Sequence, residues 1–141
     1  MSDRFVIGEQ ADPVKELKRL LDYNEFIYDQ DGESFTLVFS DRGYKWETCF
    51  ECLDDAVIIF GIYPFEVSDM TKASVFCGEV NAQSLFGAML LDTEMQRIIY
   101  RTCADMFDAY SAYEQIGRML EYNADIITHF WDSAKEAAGN A

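Results

Sequence analysis

The sequence is poor in the residues that most catalytic and nucleic-acid-binding sites require. It contains one histidine, four cysteines and two prolines, and its 11 lysines and arginines are set against 26 aspartates and glutamates. The resulting formal net charge of −15 repels phosphate backbones and anionic membrane surfaces. We therefore expect neither nucleic acid nor a membrane among its binding partners.

Long apolar runs are also missing. The longest nearly apolar stretch, AVIIFGIYPF at residues 56–65, is about half of the ~20 residues that a membrane-spanning helix needs. The first residues, MSDRFVIGEQADP, hold no apolar segment of signal-peptide length. These absences predict a cytoplasmic protein with reduced thiols. The 141 residues suit a single domain, with a core over about 12–137 and frayed termini, including EAAGNA at the end.

Helical and strand patterns alternate along the rest of the chain. Asp12 and Pro13 predict the start of a first helix, because aspartate caps free backbone N–H groups and proline fits the first turn. Residues 56–63 are apolar on both faces, which is typical of a central strand, and Pro64 ends it. The remaining signals predict hairpin turns at 31–32 and 41–43 and strands over 87–92 and 96–102. A second helix is predicted over 70–86, with Leu85 buried and Gly87 at its end. A capping box at Ser111 predicts the start of a last helix that runs to Ala137.

The order is thus one helix, three or four strands, a helix, two strands and a helix. Mixed order with hairpins predicts an α+β fold: an antiparallel sheet of about five strands with the helices packed on one face. This arrangement buries one face of the sheet and leaves open the question of what covers the other.

Two short motifs suggest chemistry at first sight. CFEC at residues 49–52 could chelate zinc or carry redox chemistry. Cysteines three apart on a strand point to opposite faces, however, and no second pair completes a zinc site, so we expect packed thiols. DQDGES at 29–34 resembles a calcium loop, but its glycine comes too early and no paired helices flank it, so a hairpin turn is expected. We predict no metal and no cofactor.

No catalytic residues are assigned. His129 is the single histidine, and nothing in the sequence pairs it with a nucleophile or a carboxylate. There is no glycine-rich phosphate loop, nucleophile elbow or HExxH motif. We therefore expect a protein that is not an enzyme.

A candidate partner or dimer surface comes from two strands. One face of strand 56–63 is apolar, and an apolar face of this kind needs cover from another element or another chain. The last strand places two arginines on one face with an isoleucine between them. These arginines either pair with the chain's own surface acids, which is the commoner role, or contact an acidic or C-terminal group of a partner. The candidate residues are Ile58, Phe60, Ile62, Arg97, Ile99 and Arg101.

The stretch DDAVIIFGIYPFEV, the following helix and LFGAMLLDTEMQRIIYRT resemble the YbjN-like family of bacterial proteins over roughly residues 12–135. Val80 stands where the family has leucine. The resemblance implies a fold similar to type III secretion chaperones, which are small, acidic, often dimeric proteins that bind an extended client segment. The family is described as sensory-transduction regulators and supplies no catalytic residues. The matching positions are Pro64, Asn81, Gly87, Asp92, Tyr100 and Arg101, and the first five are expected to be structural.

Two functions follow as hypotheses. The first is a non-catalytic interaction module, chaperone-like or regulatory, that binds a polypeptide partner. A homodimer, in which a second copy of the chain is the bound partner, belongs to this hypothesis. The alternative is a small-ligand sensor with a pocket between sheet and helices. The aromatic residues available to line such a pocket are Tyr28, Trp46, Phe50, Phe60 and Trp131.

Overall fold

The computed structural model describes residues 10–139 and shows one open antiparallel sheet with helices on one of its faces. The elements are α1 (Pro13–Tyr23), β1 (Asp29–Asp31), β2 (Ser34–Asp41), β3 (Tyr44–Cys52), β4 (Ala56–Ile62), α2 (Met70–Asn81), β5 (Gly87–Asp92), β6 (Arg97–Asp105), α3 (Ala112–His129) and α4 (Trp131–Ala137). The strands lie in the order β1-β2-β3-β4-β6-β5. The predicted α+β class is confirmed, with six strands in place of about five.

Local signals set most of these boundaries. The carboxylate of Asp12 accepts a hydrogen bond from the Lys15 amide at 3.3 Å, so α1 begins where the sequence predicts. The turn between β2 and β3 places Arg42 at φ 54° and Gly43 at φ 84°, the left-handed region that hairpin turns require. The predicted capping box of α3 does not form, because the Ser111 hydroxyl donates to Asp108 instead.

The buried residues form two clusters on the helix-covered face. The first lies where α1 and α3 pack on β2, β3 and β4, and the second where α2 and α4 pack on β5 and β6. Asn123 of α3 joins this layer to the sheet: its amide nitrogen donates to the carbonyls of Tyr100 at 2.9 Å and Ile59 at 3.3 Å. A side chain at Gly61 would overlap the Asn123 oxygen, so the glycine allows α3 to approach β4 closely.

Two predictions about α2 are wrong. The helix ends at Asn81 and not near residue 86, and Leu85, expected to be buried, is 81% exposed. Gly87 accordingly does not cap the helix but begins β5. The chain must leave the helix early because residues 82–86 return it to the edge of the sheet, where β5 pairs with β6.

The end of the chain also differs from expectation. The predicted last helix is broken at Phe130, and the break directs α4 toward α2, where Glu136 lies 3.8 Å from Lys72. Of residues 136–139, expected to fray, Ala137 and Ala138 are buried, and the Ala138 carbonyl accepts a hydrogen bond from the Ser68 amide at 2.8 Å. At the other end, Ala11, which lies before the predicted core, is buried, and its amide donates to the Met106 carbonyl at 3.0 Å. Residues 1–9 and 140–141 of the predicted frayed termini lie outside the described residues.

Candidate functional site

The sheet face opposite the helices is left uncovered by every element of residues 10–139. In the register of β4 and β6, Phe60 lies opposite Arg101 and Ile62 lies opposite Ile99. The structure therefore brings the predicted partner residues together on one face. We call this set the open-face patch: Ile58, Phe60, Ile62, Arg97, Ile99 and Arg101.

The members of the open-face patch differ in how much they offer a partner. Ile62 and Ile99 are only 8% and 7% exposed and offer little surface to a partner. Ile58 and Phe60 are half-buried and Arg101 is exposed. Leu90 on β5, opposite Ile99 and 37% exposed, extends the apolar surface toward the sheet edge. The patch is thus a continuous apolar strip whose accessible part lies around Phe60.

The two arginines do not pair with the acids of the described part of the chain. Pairing with surface acids is the role expected to be commoner. Neither Arg97 nor Arg101 forms such an ion pair with any of residues 10–139. The Arg97 guanidinium donates instead to the carbonyls of Met95 and Gln96, at 3.2 and 3.0 Å. Arg101 lines a groove of about 360 Å³ together with Ile58, Phe86, Ala88 and Cys103. An unpaired guanidinium beside apolar side chains can bind a carboxylate.

The residues that carry the family resemblance have structural contacts. The Asn81 amide pairs with both backbone groups of Met89, at 2.6 and 2.9 Å. Asp92 accepts from the amides of Glu94 and Met95, both at 3.0 Å, and closes the turn between β5 and β6. β4 ends at Ile62, and the Tyr63 amide still donates to the Ile98 carbonyl at 3.0 Å. Pro64, which has no amide hydrogen to donate, follows directly.

Gly87 and Tyr100 form a close contact between β5 and β6. A Cβ at Gly87 would lie 2.7 Å from the Tyr100 ring and 2.5 Å from the Arg101 carbonyl, so only glycine fits there. The Tyr100 hydroxyl is 2.7 Å from that of Ser84, and the Ser84 hydroxyl also lies 2.9 Å from the Gly87 carbonyl. Gly87 therefore serves strand packing and not helix termination.

The cysteines are separated as the strand pattern predicts. Cys52 is buried in the core while Cys49 lies on the opposite face and is half-buried. Burial raises the pKa of the Cys52 thiol to about 12, with the nearby carboxylates of Glu33 and Glu51 adding to the shift. Burial also raises the pKa of Cys77 to about 11. Both thiols are protonated at neutral pH, the opposite of an activated nucleophile.

The titratable residues within residues 10–139 do not form a metal site. No group of three or more histidine, cysteine, aspartate or glutamate side chains there is arranged to hold a metal ion. His129 is exposed at the end of α3, as expected, with its ring edge-on to Phe130 at 4.7 Å. None of the helices in this part of the chain is long and apolar enough to cross a bilayer.

The sequence analysis offered a pocket between sheet and helices as an alternative, and the helix side has a cleft of this kind, lined by residues that the sequence analysis did not name. A cleft of about 450 Å³ opens between α1, α3 and the end of β2. Its floor is apolar and its edge carries three carboxylates, so we call it the acid-rimmed cleft. The floor consists of Leu20, Phe26, Phe39, Gly117, Leu120 and Ala124, and the rim carries Asp41, Glu121 and Asp125 with Asn24 and Ser40. None of the five aromatic residues proposed for a pocket lines it.

No protein-family model matches the sequence, and neither does any curated protein. The fold does have a solved counterpart: YbjN of E. coli, described as a proposed transcription regulator, aligns with a TM-score of 0.65. The alignment covers 86% of this chain and 90% of that chain at 15% sequence identity. The chain has a YbjN-like fold. The likeness agrees with the resemblance seen in the sequence and concerns the fold alone.

Proposed function

We propose that this chain is a non-catalytic interaction module that binds a polypeptide partner through the open-face patch. The observation that carries the proposal is the uncovered apolar strip around Phe60, beside Arg101, which pairs with no acid between residues 10 and 139. Removing exposed apolar side chains from water lowers the free energy of a complex, so side chains of this kind favour binding to a partner. The partner segment we propose carries an apolar side chain next to a carboxylate, the first packing on Phe60 and the second pairing with Arg101.

The likeness to YbjN supports a regulatory or interaction role, since that protein is itself described as a regulator. A chaperone-like role in the cytoplasm and formation of a homodimer belong to the same proposal. In the homodimer the partner polypeptide is a second copy of the chain, packed patch to patch.

The test is a selection of displayed random peptides on the purified protein, followed by affinity measurement for each enriched peptide. Phe60→Ser and Arg101→Glu alter the patch, and Val75→Ser removes an apolar side chain outside the patch that is 56% exposed on α2. We expect enriched peptides to share an apolar–acidic pattern and to lose at least about tenfold in affinity on the patch variants, as for a buried anchor residue. Val75→Ser should bind as the wild type does.

Peptides that bind the patch variants and the wild type equally well would contradict the proposal. Sedimentation equilibrium of the same variants tests the homodimer separately. A wild-type dimer that Phe60→Ser converts to monomer identifies the second copy as the occupant of the patch, whereas a dimer unaffected by Phe60→Ser places self-association elsewhere.

A second candidate function, sensing of a small ligand, is favoured by one observation: the acid-rimmed cleft between α1, α3 and β2. It lies on the other side of the sheet from the open-face patch, so the two functions do not compete for one surface.

A further inference from the structure

We propose that the acid-rimmed cleft binds a small organic cation with an apolar body. This inference deepens the second candidate function by naming the ligand class and does not depend on the open-face patch. It rests on three properties of the cleft: an apolar floor, an excess of negative charge at the rim, and a size that suits one small molecule.

The floor offers an apolar contact surface. Leu20, Leu120 and Ala124 are at most 6% exposed and form its base. The rings of Phe26 and Phe39 stand 5.4 Å apart beside them and are tilted by 38°. An aliphatic or aromatic ligand body loses its contact with water here. The aromatic faces also attract a cation that lies above them.

The rim supplies the charge. Arg42 lies 3.8 Å from Asp41 and 3.2 Å from Asp125, so one guanidinium is shared by two of the carboxylates. Glu121, the third rim carboxylate, forms no ion pair with any residue from 10 to 139. The rim is therefore net negative, in a chain whose overall charge is −15. An anionic ligand is repelled, while an ammonium group gains an attractive partner.

The dimensions favour a small molecule over a peptide. A volume of about 450 Å³ falls within the range of small-molecule sites. The side chain of Arg42 also reaches from the β2–β3 turn to α3, where it donates to the Thr128 hydroxyl at 3.1 Å. This contact joins the sheet wall of the cleft to its helix wall and fixes their separation. Gly117 contributes no side chain, which leaves the space beside Leu20 open.

The experiment follows the backbone amides of the ¹⁵N-labelled protein by NMR while phenethylammonium is added. The matched probe 3-phenylpropionate has a similar size and the opposite charge. A ligand this small should saturate within roughly 10 mM, given the usual free energy per ligand atom. We expect saturable shifts confined to amides around Ser40, Gly117 and Ala124, and binding of the anion at least about tenfold weaker, because the rim carboxylates repel it.

Three variants assign the binding to the cleft. Glu121→Gln removes the unpaired rim charge and should weaken binding about three- to fivefold, the value of one exposed charge contact. Glu114→Gln removes an exposed charge from the same helix outside the cleft and should change nothing. Gly117→Leu fills the cleft and should abolish the shifts. Spectra of the free variants show whether each keeps the fold, and Glu121→Gln keeps the test decisive if Gly117→Leu does not.

The inference is overturned by an absence of saturable shifts with phenethylammonium, by equal affinity for 3-phenylpropionate, or by shifts that map outside the cleft. An equal loss on Glu114→Gln and Glu121→Gln would also overturn it, since the general field of the protein would then suffice. Peptide binding to the open-face patch is measured on different variants, so failure of one proposal leaves the other intact.

Discussion

The side-chain amide of Asn81 occupies the place of a neighbouring strand at Met89. Its oxygen accepts from the Met89 amide at 2.6 Å and its nitrogen donates to the Met89 carbonyl at 2.9 Å. Met89 lies on β5, the outer strand of the sheet, whose other side pairs with β6. Unpaired edge strands attract other chains, and a paired amide at the middle of the edge prevents this.

Replacing Asn81 by alanine should therefore destabilise the protein. The change removes both hydrogen bonds to Met89 and should lower the free energy of unfolding by about 1–2 kcal/mol, measured by denaturant titration. Gln83→Ala is the matched control: it removes one long, exposed contact to the Glu79 carbonyl at 3.4 Å and should cost less than about 0.5 kcal/mol. Equal effects of the two variants would show that the Asn81 pairing contributes nothing specific.

Two glycines should respond in opposite directions to alanine. Gly87→Ala forces a methyl group against Tyr100 and the Arg101 carbonyl and should lower the free energy of unfolding by about 1–3 kcal/mol. Gly78 lies in α2 with open space around it, so Gly78→Ala should stabilise by about 0.5–1 kcal/mol through helix propensity. Thermal unfolding of both variants checks the signs, and a stable Gly87→Ala protein would refute the close contact.

Asn123 should be the most sensitive polar residue of α3. It is 1% exposed, and its amide nitrogen donates to carbonyls on both β4 and β6. Asn123→Ala should lower the free energy of unfolding by about 1–3 kcal/mol, because these buried acceptors lose a donor. Gln30→Ala, which removes an exposed contact within the β1–β2 turn, should leave the midpoint of denaturation within error of the wild type.

Stability should fall in alkaline solution. An unfolded cysteine releases its proton near pH 9, whereas burial holds the folded Cys77 and Cys52 thiols protonated until about pH 11 and about pH 12. Between these values the unfolded chain binds fewer protons, so deprotonation favours unfolding, and the stabilisation present below pH 9 is lost as the pH rises. Burial also raises the pKa of the Tyr63 phenol, which acts in the same direction.

The measurement is the denaturant midpoint from pH 8 to pH 11, with the double variant Cys52→Ala, Cys77→Ala beside the wild type. The variant should be less stable than the wild type at pH 8 and should lose less stability between pH 8 and pH 11. Parallel curves for the two proteins would show that these thiols do not titrate differently in the folded and unfolded states.

The elements that the sequence predicts well are those with local causes. Asp12 and Pro13 begin α1 by direct backbone chemistry, and the alternation across β3 buries Trp46 and Phe50 as the period of a strand requires. The apolar two-sided pattern of residues 56–63 correctly placed β4 inside the sheet. The patch residues followed from the same reasoning, since the faces of strands are fixed once the strands are known.

The failures share a tertiary cause. The end of α2 depends on Asn81 reaching Met89 across a turn, which helix periodicity cannot reveal, and so Leu85 was wrongly placed in the core. In the sequence, nothing distinguishes Asn123 from other polar helix residues. Its buried hydrogen bonds exist only because β4 and β6 lie side by side in the sheet. The acid-rimmed cleft combines residues from 20 to 125 on three elements, and no spacing in the sequence connects them.

The sheet order has a consequence for how the chain reaches its native state. Strands β1 to β4 form successive hairpins and can assemble from neighbouring residues alone. Joining β6 to β4 is different, because Ile62 and Ile99, which pair in the sheet, are 37 positions apart in the sequence (99 − 62). Closing such a loop costs entropy before any contact compensates for it. The hairpins of β1–β4 should therefore form first in folding, and the docking of the β5–β6 hairpin should set the rate.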